Sequence, residues 1–275
     1  MDTRLDEIAD GIYRISTHLT GALPAPGGLT VNQFLVLADE PLLFHTGLRS
    51  MFPAVVAAVA RVLPVPRLRW LSFGHVEADE CGAVNLLLAV APAARVAFGD
   101  RGGRVSLDDL ADRPPRWLAP GEAMDLGGRR VVAVPTPHAP HNLEAQVLVE
   151  ETTGTVLCGD LFTQLGPGPA LTSGDVVTAA LEAEAVLDTA PPGPAVPDAL
   201  RRLAGFAPRT LAAMHGSAYG GDAVAALTDL ADAWELRFGG TSPTRRSDNP
   251  DDPNDLDDLD DLDDLDDPTD KETGP

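Results

Sequence analysis

The sequence predicts an α+β fold, a four-layer αβ/βα sandwich whose two mixed β-sheets lie face to face with helices outside. Three observations lead there. Apolar runs of strand character fall into two groups, each followed by segments of helical period. Their order is not a regular βαβα alternation, which argues against a barrel or a doubly wound sheet, and no internal repeat is visible. Several strand candidates also end on a His or an Asp, the layout of a site carried by loops on a rigid scaffold.

The elements follow in chain order. Leu5 to Ser16 reads as two short strands around Asp10-Gly11, and Val31 to Leu37 with Pro41 to His45 as a hairpin turning at Ala38-Asp39-Glu40. Phe52 to Leu63 has the helical period, with Val55, Val56, Val59 and Val62 to one side. Leu68 to Phe73 is a buried strand, Cys81 to Ala91 a helix and Ala94 to Phe98 a strand. A polar connection containing Leu107-Asp108-Asp109-Leu110 leads to strands at Val131 to Val134, Gln146 to Glu150 and Thr155 to Cys158. Gln164 to Ser173, with Gly166-Pro167-Gly168-Pro169, is a loop, either a plain connection or a lid. Helices at Ala179 to Leu187 and Pro197 to Leu203, a strand at Thr210 to Met214 and a helix at Asp222 to Arg237 complete the domain, which is expected to span residues 1–240.

An apolar content of 44% supports a substantial core, but the formal charge of −22 is unevenly placed. The segment 247–275 carries more than half of it and contains Lys271, the only Lys of the chain. Within the expected tail, 241–275, Leu recurs every third residue from Leu256 to Leu265 among Asp pairs. A period of three drifts around a helix of 3.6, and dense like charge opposes compaction. The expected state is a disordered acidic linker and tail, with docking to a basic partner as the alternative. An acidic body argues against nucleic acid and anionic membranes as partners. Met1 to Asp10 lacks an apolar secretion core and no apolar run reaches a membrane span, so a cytoplasmic location is expected. Cys81 and Cys158 suggest no disulfide framework; burial suits Cys158, and Cys81, within a site segment, is read as a thiol behind the ligands or a buried residue.

That segment is His75-Val76-Glu77-Ala78-Asp79-Glu80-Cys81-Gly82. Read as extended, it turns His75, Glu77 and Asp79 the same way. Converging acids repel unless a cation lies between them. Further candidates stand at other strand ends: His138 and His141 in Thr136-Pro137-His138-Ala139-Pro140-His141-Asn142, Asp160 after Gly159, and His215 before Gly216. Asp79 and Glu80 would, on their own, serve equally as acids favoured at a helix start. Three His and four carboxylates, counting Glu80, form a hard, oxygen-rich donor set that suits iron or manganese; hydrolytic zinc sites are usually richer in imidazole.

A His-x-Glu-x-Asp turn, a later lone His, a Gly-Asp after a strand and a late His-Gly together resemble the metallo-β-lactamase fold, over about Leu5 to Leu236. With Glu77 at the middle position, where hydrolases of that fold usually carry His, the pattern is most similar to the oxygen-binding diiron domain of the flavodiiron proteins. The resemblance implies a first metal on His75, Glu77 and His141, a second on Asp79 and His215, and Asp160 bridging them. The family pattern has His directly after the Asp, where this chain has Glu80, which leaves Glu80 as a ligand or as a group behind the ligands. His138 and His45 are expected to support ligands from behind.

The implied function is binding or reduction of oxygen or nitric oxide at two metal ions, iron first, with zinc or manganese as alternatives. No flavin is expected on this chain, so electrons would come from a separate donor protein, and a homodimer is an expected assembly. A dinuclear metallo-hydrolase of an ester, thioester, lactone or phosphoester, acting on a small-molecule substrate, is the second reading. A non-enzymatic metal-binding or oxygen-sensing module is the third.

Overall fold

The computed structural model describes residues 2–21, 25–101 and 103–238; the expected linker and acidic tail, 241–275, lie outside the described residues. The first seven strands form one sheet in sequence order: β1 (Thr3–Ala9), β2 (Ile12–Leu19), β3 (Leu29–Val36), β4 (Leu42–Phe44), β5 (Trp70–Ser72), β6 (Arg95–Gly99) and β7 (Arg116–Leu118). Pairing is antiparallel from β1 to β4 and parallel from β4 to β7. The second sheet contains β8 (Ala123–Asp125), β9 (Arg130–Pro135), β10 (Gln146–Glu150), β11 (Thr155–Leu157), β12 (Leu171–Thr172), β13 (Thr210–Ala212) and β14 (Ala218–Tyr219), in the order β12-β14-β13-β11-β10-β9-β8. It is mixed as well, with β11 parallel to β13 and β8 to β11 antiparallel.

Alternation along the strands builds three core layers from these two sheets. In β3, Phe34 and Val36 face the space between the sheets while Val31 and Leu35 face the helices. In β9, Val131 and Ala133 face inward and Val132 and Val134 outward. The outer face of the first sheet is covered by α1 (Phe52–Val59), α2 (Ala78–Cys81), α3 (Val84–Val90) and α4 (Gly103–Leu110). That of the second carries α5 (Val176–Leu187), α6 (Ala195–Ala204) and α7 (Ala223–Phe238). Strands buried on both faces lose their polar alternation, as in β3, where every residue is buried.

Three local expectations are corrected. The helix expected over Cys81 to Ala91 is two helices. Gly82 sits so close to the Ala78 carbonyl that a Cβ would meet it at 2.2 Å, and the Ala83 amide leaves the helix to bond the Gly47 carbonyl at 2.9 Å. The polar connection around Leu107 is α4, held by buried Gly103 and Leu107. Its two neighbouring acids hide the periodicity. The Gln164 to Ser173 segment contains β12, and its start is tied to the body: Gln164 N donates to His215 O and Gly166 N to Gly28 O. That anchoring favours a fixed connection over a lid. No helix among the described residues is long and apolar enough to cross a membrane.

Candidate metal centre

The candidate ligands meet at one rim of the sandwich. His75 follows β5 in a tight bend, with Glu77 N donating to His75 O at 3.1 Å, and Glu77 itself is extended at φ −138 and ψ 156 as the N-cap of α2. The Glu77 carboxylate makes no capping bond and instead lies 2.7 Å from His75 Nε2. Helix α2 then begins, so the extended reading holds at Glu77 alone: the chain bends before it and is helical after it. Successive helical residues point about 100° apart. Asp79 therefore faces the centre while Glu80 turns beneath it and is fully buried. His141 stands in a tight loop between β9 and β10, pinned by His138 N donating to Asn142 O and Thr136 N to Ala145 O. Asp160 follows Gly159, whose left-handed φ of +55 turns the chain where it touches Gly74. Inter-sheet bonds from Gln146 N to Gly74 O and from Asn32 N to Met214 O hold these corners in place.

One atom set gathers His75, Glu77, His141 and Asp160, with ligand atoms all within 4.8 Å of one another. His215 and Asp79 adjoin it. Asp160 divides its carboxylate between the two groups. Oδ2 is 3.1 Å from His141 Nε2 and 3.8 Å from His75 Nε2, whereas Oδ1 is 3.3 Å from His215 Nε2. His215 Nε2 is in turn 3.4 Å from Asp79 Oδ2. Each imidazole has a partner on its far side: His215 Nδ1 lies 2.8 Å from the Thr30 carbonyl, His75 Nδ1 3.3 Å from Glu80 Oε1 and His141 Nδ1 3.4 Å from Asn142 Oδ1. A donor Nδ1–H leaves the Nε2 lone pair facing the cluster, the arrangement metal-ligating histidines use. Asp160 Oδ1 is buried without a hydrogen-bond partner, which a cation would satisfy. His75, Glu77, His141 and Asp160 therefore fit a cation, and His215 and Asp79 adjoin them on the other side of Asp160.

The electrostatics carry the same sign. Burial opposes charge on His75, but the carboxylates of Glu80, Glu77 and Asp160 overcome it and push its pKa up to about 12. For His215, burial is likewise outweighed by Asp160 and Asp79, giving about 9. Burial and the neighbouring carboxylates lift Asp79 to about 6 against the pull of His215. Burial works against the Asp160 anion too, yet His141 and His215 hold its pKa well below the ordinary carboxylate range. Protons on imidazoles thus supply the positive charge that cations would supply.

Glu80 lies behind this ring. Its Oε2 accepts from the His75 amide at 2.6 Å, and its Oε1 is 3.4 Å from Nε2 of His45, itself fully buried at a left-handed φ of 65. His45 Nδ1 lies 3.2 Å from the Asn32 carbonyl. His138 is exposed, also at a left-handed φ of 61. Cys81 and Cys158 are buried, and burial pushes each thiol up to about 12. Sequence reasoning missed Asn32, whose side-chain amide donates to the carbonyls of Ala213 and Gly216 on either side of His215. It also missed Glu144, which accepts from the Val76 amide. An Asn in a strand and a Glu in a loop have no periodic signature that would reveal such contacts. Beside the ligands opens a cleft of about 310 Å³, walled by Leu29, Phe162, Leu187, Leu230 and Trp234.

Two face-to-face mixed sheets with helices outside and candidate ligands on one rim make this a metallo-β-lactamase-type fold, in the form the flavodiiron structures share. The Flv1 flavodiiron core from Synechocystis sp. PCC6803 superposes with a TM-score of 0.73 at 22% identity, over 85% of this chain and 60% of that one. Rubredoxin oxygen:oxidoreductase from Desulfovibrio gigas gives 0.71 at 20% identity, over 83% and 62%. Among curated proteins, diflavin flavoprotein A 2 of Thermosynechococcus vestitus is 24% identical over 175 residues, covering 58% of this chain and 30% of that protein. The chain thus spans under a third of that relative's length. No family profile matches it.

Proposed function

We propose that residues 1–240 form a non-haem diiron domain that binds or reduces oxygen or nitric oxide with electrons from a separate donor protein. The observation that carries this is the divided Asp160 carboxylate, each oxygen turned to its own set of ligands. His75, Glu77 and His141 would hold one iron, Asp79 and His215 the other, and Asp160 would span them. Iron held by these residues would supply the redox chemistry for binding or reducing oxygen or nitric oxide. The chain's own part is to fix the ligands: the Thr30 carbonyl and Glu80 orient two imidazoles, and Asn32 holds the loop that carries His215. The similarity to a protein named for rubredoxin and oxygen supports an external donor. A cytoplasmic location and a homodimer belong to the same reading. Metal analysis of protein purified anaerobically from its native host tests it. Paired iron and a visible band that changes on admitting oxygen are expected; a single zinc per chain would end the proposal.

The cleft favours a second reading. About 310 Å³ with apolar walls exceeds the needs of a diatomic and suits an organic substrate, as a metal-dependent hydrolase would require. Zinc in the native protein together with turnover of esters or thioesters would select it.

A further inference from the structure

Besides the cleft next to the candidate ligands, a second one of about 310 Å³ lies between the start of the first sheet and the Pro167 to Ala170 segment. Strand alternation and register build its floor. Arg14, Ser16 and His18 share one face of β2, and Arg4 and Asp6 on β1 are paired with Ser16 and Arg14. Asp2 and Thr30 also line it. Arg14 is the unusual member. It is 2% exposed, and among the described residues its one hydrogen bond runs from Nη2 to the Gly216 carbonyl, at 2.7 Å. Its Nε has no partner, and the guanidinium forms no ion pair among the described residues. A buried guanidinium with donors to spare is costly unless an acceptor, best an anion, meets it. Its bond to Gly216 shares with Asn32 the loop that carries His215, and its remaining donors have no role in the proposed function.

We propose that this cleft is a binding site for a small oxyanion, a carboxylate or phosphate group seated on Arg14, with Arg4, Ser16 and His18 as further contacts. A planar guanidinium matches both groups through parallel N–H donors. Asp6 competes for the same charge and sets a limit on affinity.

The test uses the full chain as purified with its metal, titrated separately with acetate and inorganic phosphate by calorimetry. Saturable binding of either is expected, and the tighter one names the class. Arg14→Gln and Arg4→Gln should each weaken it about tenfold or more, the value of a charge-assisted hydrogen bond. Asp6→Asn should tighten it. Binding that survives Arg14→Gln unchanged would place the anion on the metals and overturn the proposal, as would no binding of either anion. If Arg14→Gln does not fold, Arg4→Gln and Asp6→Asn decide: opposite shifts support the site, and unchanged affinity in both removes it.

Discussion

Asp160 is the residue on which both halves of the candidate centre depend, because its two oxygens face different ligand groups. Asp160→Ala is therefore expected to lose both metals together, measured as metal content after dialysis; retention of one ion would separate the two groups. Glu80 acts at one remove. It binds the His75 amide and faces the His75 imidazole, so Glu80→Gln should lower metal affinity about 10–100-fold, the usual effect of removing an outer partner. Competition with a chelating dye reads this without any assay of turnover. Glu150, far from the metals, offers a pH test. Burial works against its charge, but hydrogen bonds from Thr153 and Thr152 keep its pKa below the ordinary 4.5. A depressed carboxylate stabilises the fold above its unfolded pKa, and that contribution fades as the pH falls through the folded value. Glu150→Gln should thus cost about 1–2 kcal/mol at neutral pH, and the deficit should close in acid, as followed by denaturant melts.

At the level of elements, the convergence of the candidate ligands was legible from the sequence. His75, Glu77, His141, Asp160 and His215 stand where a strand ends or a short loop turns, Asp79 stands in the helical turn after Glu77, and the structure brings the six to one rim. Spacing alone misassigned the local conformation: Asp79 reaches the centre from a helical turn, not an extended chain, which is why Glu80 points elsewhere. β7 and β14 were missed because, unlike the similarly short β5, β11 and β13, they sit in no apolar run and are too short for alternation to register. Carbonyl contacts such as Thr30 to His215 depend on backbone proximity, which side-chain identity does not encode. The loop after β13 has its own requirement. Gly216 adopts a left-handed φ of +94, and a Cβ there would meet Gln164 Cβ at 2.5 Å. Gly216→Ala should destabilise the fold by about 1 kcal/mol or more and displace His215, visible as a lower melting temperature and weaker metal retention.

Across the whole molecule, the two sheets share a dry interior of side chains such as Phe34, Phe44, Leu148 and Leu157. At the rim the contact between them changes character. His75, Glu77 and Asp79 come from the first sheet's connections, and His141, Asp160 and His215 from the second's. Bound cations would then work as rivets through two plates. Stripping them with a chelator should leave the greasy centre closed while the rim gapes, so that amide exchange quickens first around Gly74, Gly159 and Met214 and only later in the strands behind them. A uniform rise in exchange throughout the domain would mean that the plates need no fastening.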